Sequence, residues 1–154
     1  MTTSHARLEL SQFKEIAPHA YAGLITLGEA AANAGLDKGL LELIKIRASQ
    51  INGCAYCLQH HITLARKLGV PSVKLDLVAA WRDAGVFSPR ECAALGWTES
   101  LTRLDGGEVP DAAYSAVRAE FSLEETAFLT SAVAVINAWN RIAIPFRSTP
   151  AGIG

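Results

Sequence analysis

Apolar residues recur along this chain at three- and four-residue intervals, and no Val/Ile/Thr-rich run alternates apolar with polar positions between turn signals. That pattern dictates helices and argues against strands, because a strand turns alternate side chains to opposite faces while a helix repeats every 3.6 residues. The expected fold is therefore all-α. At 154 residues the chain fits one domain, spanning residues 1–154, and is long enough to bury a substantial core.

Local signals place the helices. Pro18 to Ala34 reads as a first long helix stopped by Gly35. Asp37 caps a second, which carries Leu40, Leu41, Ile44 and Ala48 on an apolar face and Glu42 beside them. Ile51-Asn52-Gly53 breaks the pattern, and the next helix runs from about Cys54 to Leu68 with Gly69 at its end. Two capping boxes, Ser88-Pro89-Arg90-Glu91 and Ser122-Leu123-Glu124-Glu125, open later helices. Asp105 to Pro110 reads as a loop between them. The last helix is expected to end before Pro145, which cannot donate a backbone bond, and Ser148 to Gly154 to fray.

Composition removes several function classes. A net charge of −1 with no Lys/Arg cluster argues against a nucleic-acid partner. A membrane span needs roughly 18 or more consecutive apolar residues. The best stretch, Ala127 to Trp139, is interrupted by Thr130, Ser131 and Asn137 and reads as a buried helix, so no membrane is expected. Met1 to Glu15 lacks the basic and then apolar pattern of a signal peptide, which makes the cytoplasm the expected compartment. Half of the residues are apolar and mean hydropathy is +0.21, high for a small soluble chain, which suggests subunit contacts in a homo-oligomer.

Three cysteines do not make a secreted disulfide framework, but two of them stand in Cys54-Ala55-Tyr56-Cys57-Leu58-Gln59-His60-His61. Positions 54, 57 and 61 are three and then four apart, so they line one face of a helix. A pair at a helix start can bring its Cα atoms within the ~4.4 to 6.8 Å that a disulfide allows. Only a thiolate attacks, and a free thiol titrates near ~8.5, so a nucleophilic cysteine needs help. Here the helix N-terminus favours negative charge and His61, one turn beyond Cys57, can take a proton. Its nearness to Cys57 nominates Cys57 as attacker and Cys54 as resolver, with a carboxylate such as Glu42 to hold the imidazole. A peroxide would oxidise the attacking thiolate to a sulfenic acid, the neighbour would condense with it, and an external reductant would restore the dithiol.

Cys54, Cys57, His61 and Glu42 also have the donor types of a zinc site. Structural zinc usually draws on two separated ligand pairs, whereas three of these residues share one helix, so neither a metal nor a cofactor is expected. Cys92 reads as a small buried hydrophobe, His60 as a surface or interface residue, and Trp81, Trp97 and Trp139 as core or subunit contacts, with a pocket wall open to one of them and either role open to Tyr56. A redox sensor or assembly module built on the same dithiol stays open beside an enzyme.

The run from Glu42 through Arg47 and Gly53 to Cys57, followed by His61 and Ala65-Arg66, resembles the AhpD-type alkylhydroperoxidase and carboxymuconolactone decarboxylase superfamily. The likeness is strongest over Glu42 to Gly69. It extends more weakly through Trp81, Phe87 to Thr102 and the closing Asn137-Ala138-Trp139-Asn140-Arg141. The resemblance implies an all-α fold assembled as trimers or hexamers. It implies a proton relay from the glutamate twelve residues before the first cysteine and the histidine four after the second, here Glu42 and His61. It also implies a peroxidatic Cys57, a resolving Cys54, a hydroperoxide substrate and an external dithiol or protein reductant. The family's best-known peroxidases have a histidine where this chain has Tyr56. Its decarboxylase branch lacks the cysteine pair, which disfavours lactone decarboxylation.

Overall fold

The computed structural model describes residues 6–151, and all regular structure among them is helical. In chain order the α-helices are α1 (Leu10–Ile16), α2 (Pro18–Ala32), α3 (Lys38–Asn52), α4 (Ala55–Lys67), α5 (Ser72–Leu77), α6 (Trp81–Ala84), α7 (Pro89–Thr102), α8 (Asp111–Glu120) and α9 (Leu123–Phe146). Single 3-10 turns, Val78–Ala80 and Leu104–Gly106, precede α6 and α8.

Helix α3 is the axis of the packing, and its neighbours are α4, α7 and α9. It is apolar on two sides: Leu40, Leu41 and Ile44 join one cluster with Trp97, Leu129 and Val133, while Leu43 and Ile46 join another with Val78, Trp81 and Leu95. Two apolar sides place the helix in the interior, and they bring the polar Glu42 and Ser49 into burial with them. Ala48 enters a third cluster with Cys54, Cys57, Ile136 and Ala143, so the cysteine pair sits in the core rather than on the surface.

The helix starts follow the capping signals. Asp37 accepts from the Leu40 N–H at 2.8 Å, and the serines of both capping boxes accept from Glu91 and Glu125 while those glutamates reach back to the serine N–H groups. Gly53, at φ 73°, closes α3 in the left-handed region that glycine adopts without strain.

The structure departs from the expectations at five points. Helix α1 was not anticipated, and α2 ends at Ala32, before Ala34. Helix α9 runs through Pro145 to Phe146. The carbonyl left over by the proline belongs to Arg141, which is exposed to solvent, so the cost is small there, and the stop comes from Arg147 in the left-handed region at φ 52°. At 24 residues α9 is, by length and composition, long and apolar enough to cross a membrane, contrary to the reading that no stretch qualifies. It packs against α2, α3, α4, α7 and α8, and buries Leu129, Ala132, Val133 and Ile136 among them. The tail is docked as far as Thr149: Ser148 is buried, and the Thr149 N–H and hydroxyl donate to Glu9. Gly152 to Gly154 lie outside the described residues, as do Met1 to His5.

Candidate active site

Helices α3, α4 and α9 meet around the cysteine pair. Cys54 is the N-cap of α4, where its sulfur accepts the Cys57 N–H at 3.3 Å. The two cysteines are joined as a disulfide with their Cα atoms 5.3 Å apart. Both are almost fully buried, at 1% exposure for Cys54 and 3% for Cys57, but only Cys57 lines a cavity of about 370 Å3.

His61, one turn beyond Cys57 on α4, lines the same cavity. Its Nδ1 lies 2.7 Å from Oε2 of Glu42, a carboxylate only 6% exposed on α3. Lys45, one turn further along α3, places its Nζ 3.2 Å from the other oxygen. Burial pushes the Glu42 carboxyl up, but the His61 hydrogen bond and the Lys45 ammonium outweigh it and hold the group below the usual glutamate range. An ionised Glu42 only accepts, so the proton in that contact sits on His61 Nδ1, which leaves Nε2 as the ring nitrogen not engaged by the carboxylate.

The rest of the wall is mostly apolar and aromatic: Leu24 and Ile25 from α2, Val135, Ile136 and Trp139 from α9, and Leu10 from α1. Tyr21 meets Trp139 edge to face at 5.3 Å. Tyr56 stacks on His60, with ring centroids 6.3 Å apart. Burial, then Tyr21 and the Glu9 carboxylate, push the Tyr56 hydroxyl up, so it stays protonated and able to donate.

The structure thus joins Cys54 to Cys57 and Glu42 to His61, and puts Cys57 and His61 on one cavity wall. Sequence reasoning missed Lys45 and Tyr21, while Trp139 is the one of the three tryptophans that walls the cavity. Lys45 had a signal, its i, i+3 spacing from Glu42; the aromatic wall depends on helices distant in sequence, and Tyr21 had none. His60 is exposed, as read, but it also lines the cavity beside His61, and desolvation there followed by His61 pushes its imidazole down. Cys92 is the free cysteine among the described residues, half-buried on α7, its thiol pushed up by burial and by Glu91. Trp81 and Trp97 are core residues whose indole N–H groups donate to Glu99 and Thr130. Among the described residues no group of three or more His, Cys, Asp or Glu side chains is placed to hold a metal ion.

The chain is similar to known proteins over nearly all its length. The uncharacterized protein YdfG of Bacillus subtilis (strain 168) is 36% identical over 132 residues, 86% of this chain and 90% of that protein. A crystal structure of ATU0492 from Agrobacterium tumefaciens, a protein of unknown function described as a putative antioxidant defence protein AhpD, is 36% identical and superposes with a TM-score of 0.88 over 94% of this chain and 97% of the other. An uncharacterized peroxidase-related protein from Ralstonia eutropha JMP134, with an alkylhydroperoxidase AhpD core, shares the fold at 24% identity and a TM-score of 0.80, over 92% and 75% of the two chains. The profile of the carboxymuconolactone decarboxylase family matches residues 18–100, a segment that contains Glu42, both cysteines of the pair and His61. With that match and the AhpD-like fold, the chain belongs to the carboxymuconolactone decarboxylase family.

Proposed function

We propose that this protein is a thiol peroxidase that reduces organic hydroperoxides through the Cys54–Cys57 pair. The observation that carries the reading is which of the two bonded cysteines borders the cavity: Cys57 lines an apolar cavity shared with His61, and Cys54 does not line it.

In the reduced protein His61 Nε2 takes the Cys57 proton, and the thiolate attacks the nearer peroxide oxygen. The O–O bond breaks, an alcohol leaves with a proton returned from His61, and Cys57 becomes a sulfenic acid. The Cys54 thiol then displaces water from that sulfur to form the disulfide. A dithiol or protein reductant from outside attacks Cys57, the sulfur that faces the cavity. Cys54 leaves as a thiolate, favoured by the Cys57 N–H and the positive end of α4. The aromatic and aliphatic wall suits the organic part of a hydroperoxide.

The protein would act in the cytoplasm, without nucleic acid or membrane as partner, and as a homo-oligomer, a trimer or hexamer. Exposed Ile16, Ile25, Leu27 and Leu123 support subunit contacts. Peroxide consumption by the full chain with dithiothreitol in excess tests the reading. Many peroxides reduced per chain is the expected result; one equivalent followed by arrest would make the pair a sensor and overturn it.

A further inference from the structure

The closing motif Asn137-Ala138-Trp139-Asn140-Arg141 has no part in the mechanism above except for the Trp139 wall, yet its two asparagines reach the cysteine turn. Asn52, the last residue of α3, donates from Nδ2 to Oδ1 of both Asn137 and Asn140, at 2.9 Å each. Asn140, fully buried, donates in turn to the Ser49 hydroxyl at 3.1 Å. The Ser49 carbonyl accepts the Cys54 N–H at 3.0 Å, across the left-handed Gly53. Helix α9 therefore grips the end of α3 just before Gly53, and the gripped Ser49 holds the Cys54 N–H beyond Gly53 through its carbonyl.

A buried amide that spends its hydrogen bonds on one turn fixes that turn more than it stabilises the fold, because its net contribution is small while leaving it unpaired is costly. The Gly53 turn is where fixing is needed, since glycine is the residue that restricts the backbone least. We propose that Asn52, with Asn140 and Ser49, is a positioning device that holds Cys54 within bonding reach of Cys57 and so favours the disulfide over the dithiol. The inference rests on the redox reading of the pair. It concerns the resolving step, in which the Cys54 thiol and the Cys57 sulfenic acid give a disulfide and water, and not the attack on peroxide.

The test is the thiol–disulfide equilibrium of the full chain in defined mixtures of reduced and oxidised glutathione, read by alkylation and mass spectrometry. Asn52→Ala should move the equilibrium toward the dithiol by roughly 10-fold, the size set by losing two part-buried hydrogen bonds. Two controls should leave it within about 2-fold of the parent, a shift smaller than a single such bond sets. Thr102→Val removes the Asn137 bond on the α7 side, and Val117→Ala destabilises the core away from the turn. If Asn52→Ala yields no folded protein, Ser49→Ala carries the same test with a shift of roughly 3-fold, from one hydrogen bond lost. An unshifted equilibrium in the variant that folds, or an equal shift in the controls, overturns the inference. A parent pair that exchanges normally without reducing peroxide would refute the peroxidase reading and leave the positioning role standing; a parent pair that does not exchange would overturn both.

Discussion

His61 and Glu42 are held 2.7 Å apart across the α3–α4 contact, from positions nineteen residues apart in the chain. The carboxylate fixes which ring nitrogen carries the proton, and so which one faces the chemistry. His61→Ala should slow peroxide reduction by about 10²- to 10⁴-fold, the usual worth of a positioned base, and Glu42→Gln by a similar or smaller factor. Because both act on one proton, the double variant should lose little more than the worse single variant. Single-turnover rates with excess peroxide measure all three, and fully additive losses would mean separate roles.

The same carboxylate gives the acid limb of stability a definite sign. Glu42 has a folded-state pKa below the ordinary 4.5, as does Glu99, whose burial is outweighed by hydrogen bonds from Arg82, Trp81 and Arg47. A depressed carboxylate contributes stability that is complete above the ordinary value and is lost as pH falls through the lowered one. Denaturant midpoints should begin to fall gently below about pH 6.5, where His60 protonates in the unfolded chain before the folded one, and more steeply below about pH 5 as Glu42 and Glu99 protonate. In Glu99→Gln the fall below about pH 5 should be shallower, with the midpoint lower at neutral pH, where Arg47 and Arg82 lose their carboxylate partner, and approaching the parent's as Glu99 protonates. A midpoint that rises on acidification would contradict the assignment.

Much of this fold is legible in the sequence because its helix starts are written locally. Ser88 and Ser122 open capping boxes, Asp37 caps α3, and Gly53 marks the turn before the cysteines. The end of α9 is not legible: Pro145 signals a stop, but it faces back to the exposed residue Arg141, and the left-handed Arg147 ends the helix two residues on. The same division holds at the site. Cys54, Cys57 and His61 share one helix, so periodicity alone groups them, whereas the meeting of Glu42 with His61 depends on how two helices pack. The cavity wall is harder still, since Tyr21 and Trp139 come from opposite ends of the chain and no local pattern pairs them.

Cys92 should behave as a bystander. Burial and Glu91 push its thiol up, which leaves little thiolate at neutral pH. Iodoacetamide should therefore label Cys57 in the reduced protein well before Cys92, and Cys92→Ala should keep full peroxide turnover. Labelling of Cys92 first, followed by mass spectrometry of its peptide, would place the reactive thiol elsewhere.

The exposed apolar side chains predict association. Light scattering at micromolar concentration should give a mass at a multiple of 16.4 kDa, with three or six copies expected. A particle of one chain's mass would refute the oligomer.

The division of labour between the cysteines is the centre of the account, and one paired measurement reaches it directly. Cys54→Ser and Cys57→Ser proteins, each given one equivalent of an organic hydroperoxide, are treated with a sulfenic-acid trap and their peptides weighed. The cavity-facing position of Cys57 predicts a trapped sulfenic acid on Cys57 in Cys54→Ser and no peroxide consumed by Cys57→Ser. A trapped adduct on Cys54 in Cys57→Ser, with Cys54→Ser inert, would invert the roles and contradict the mechanism.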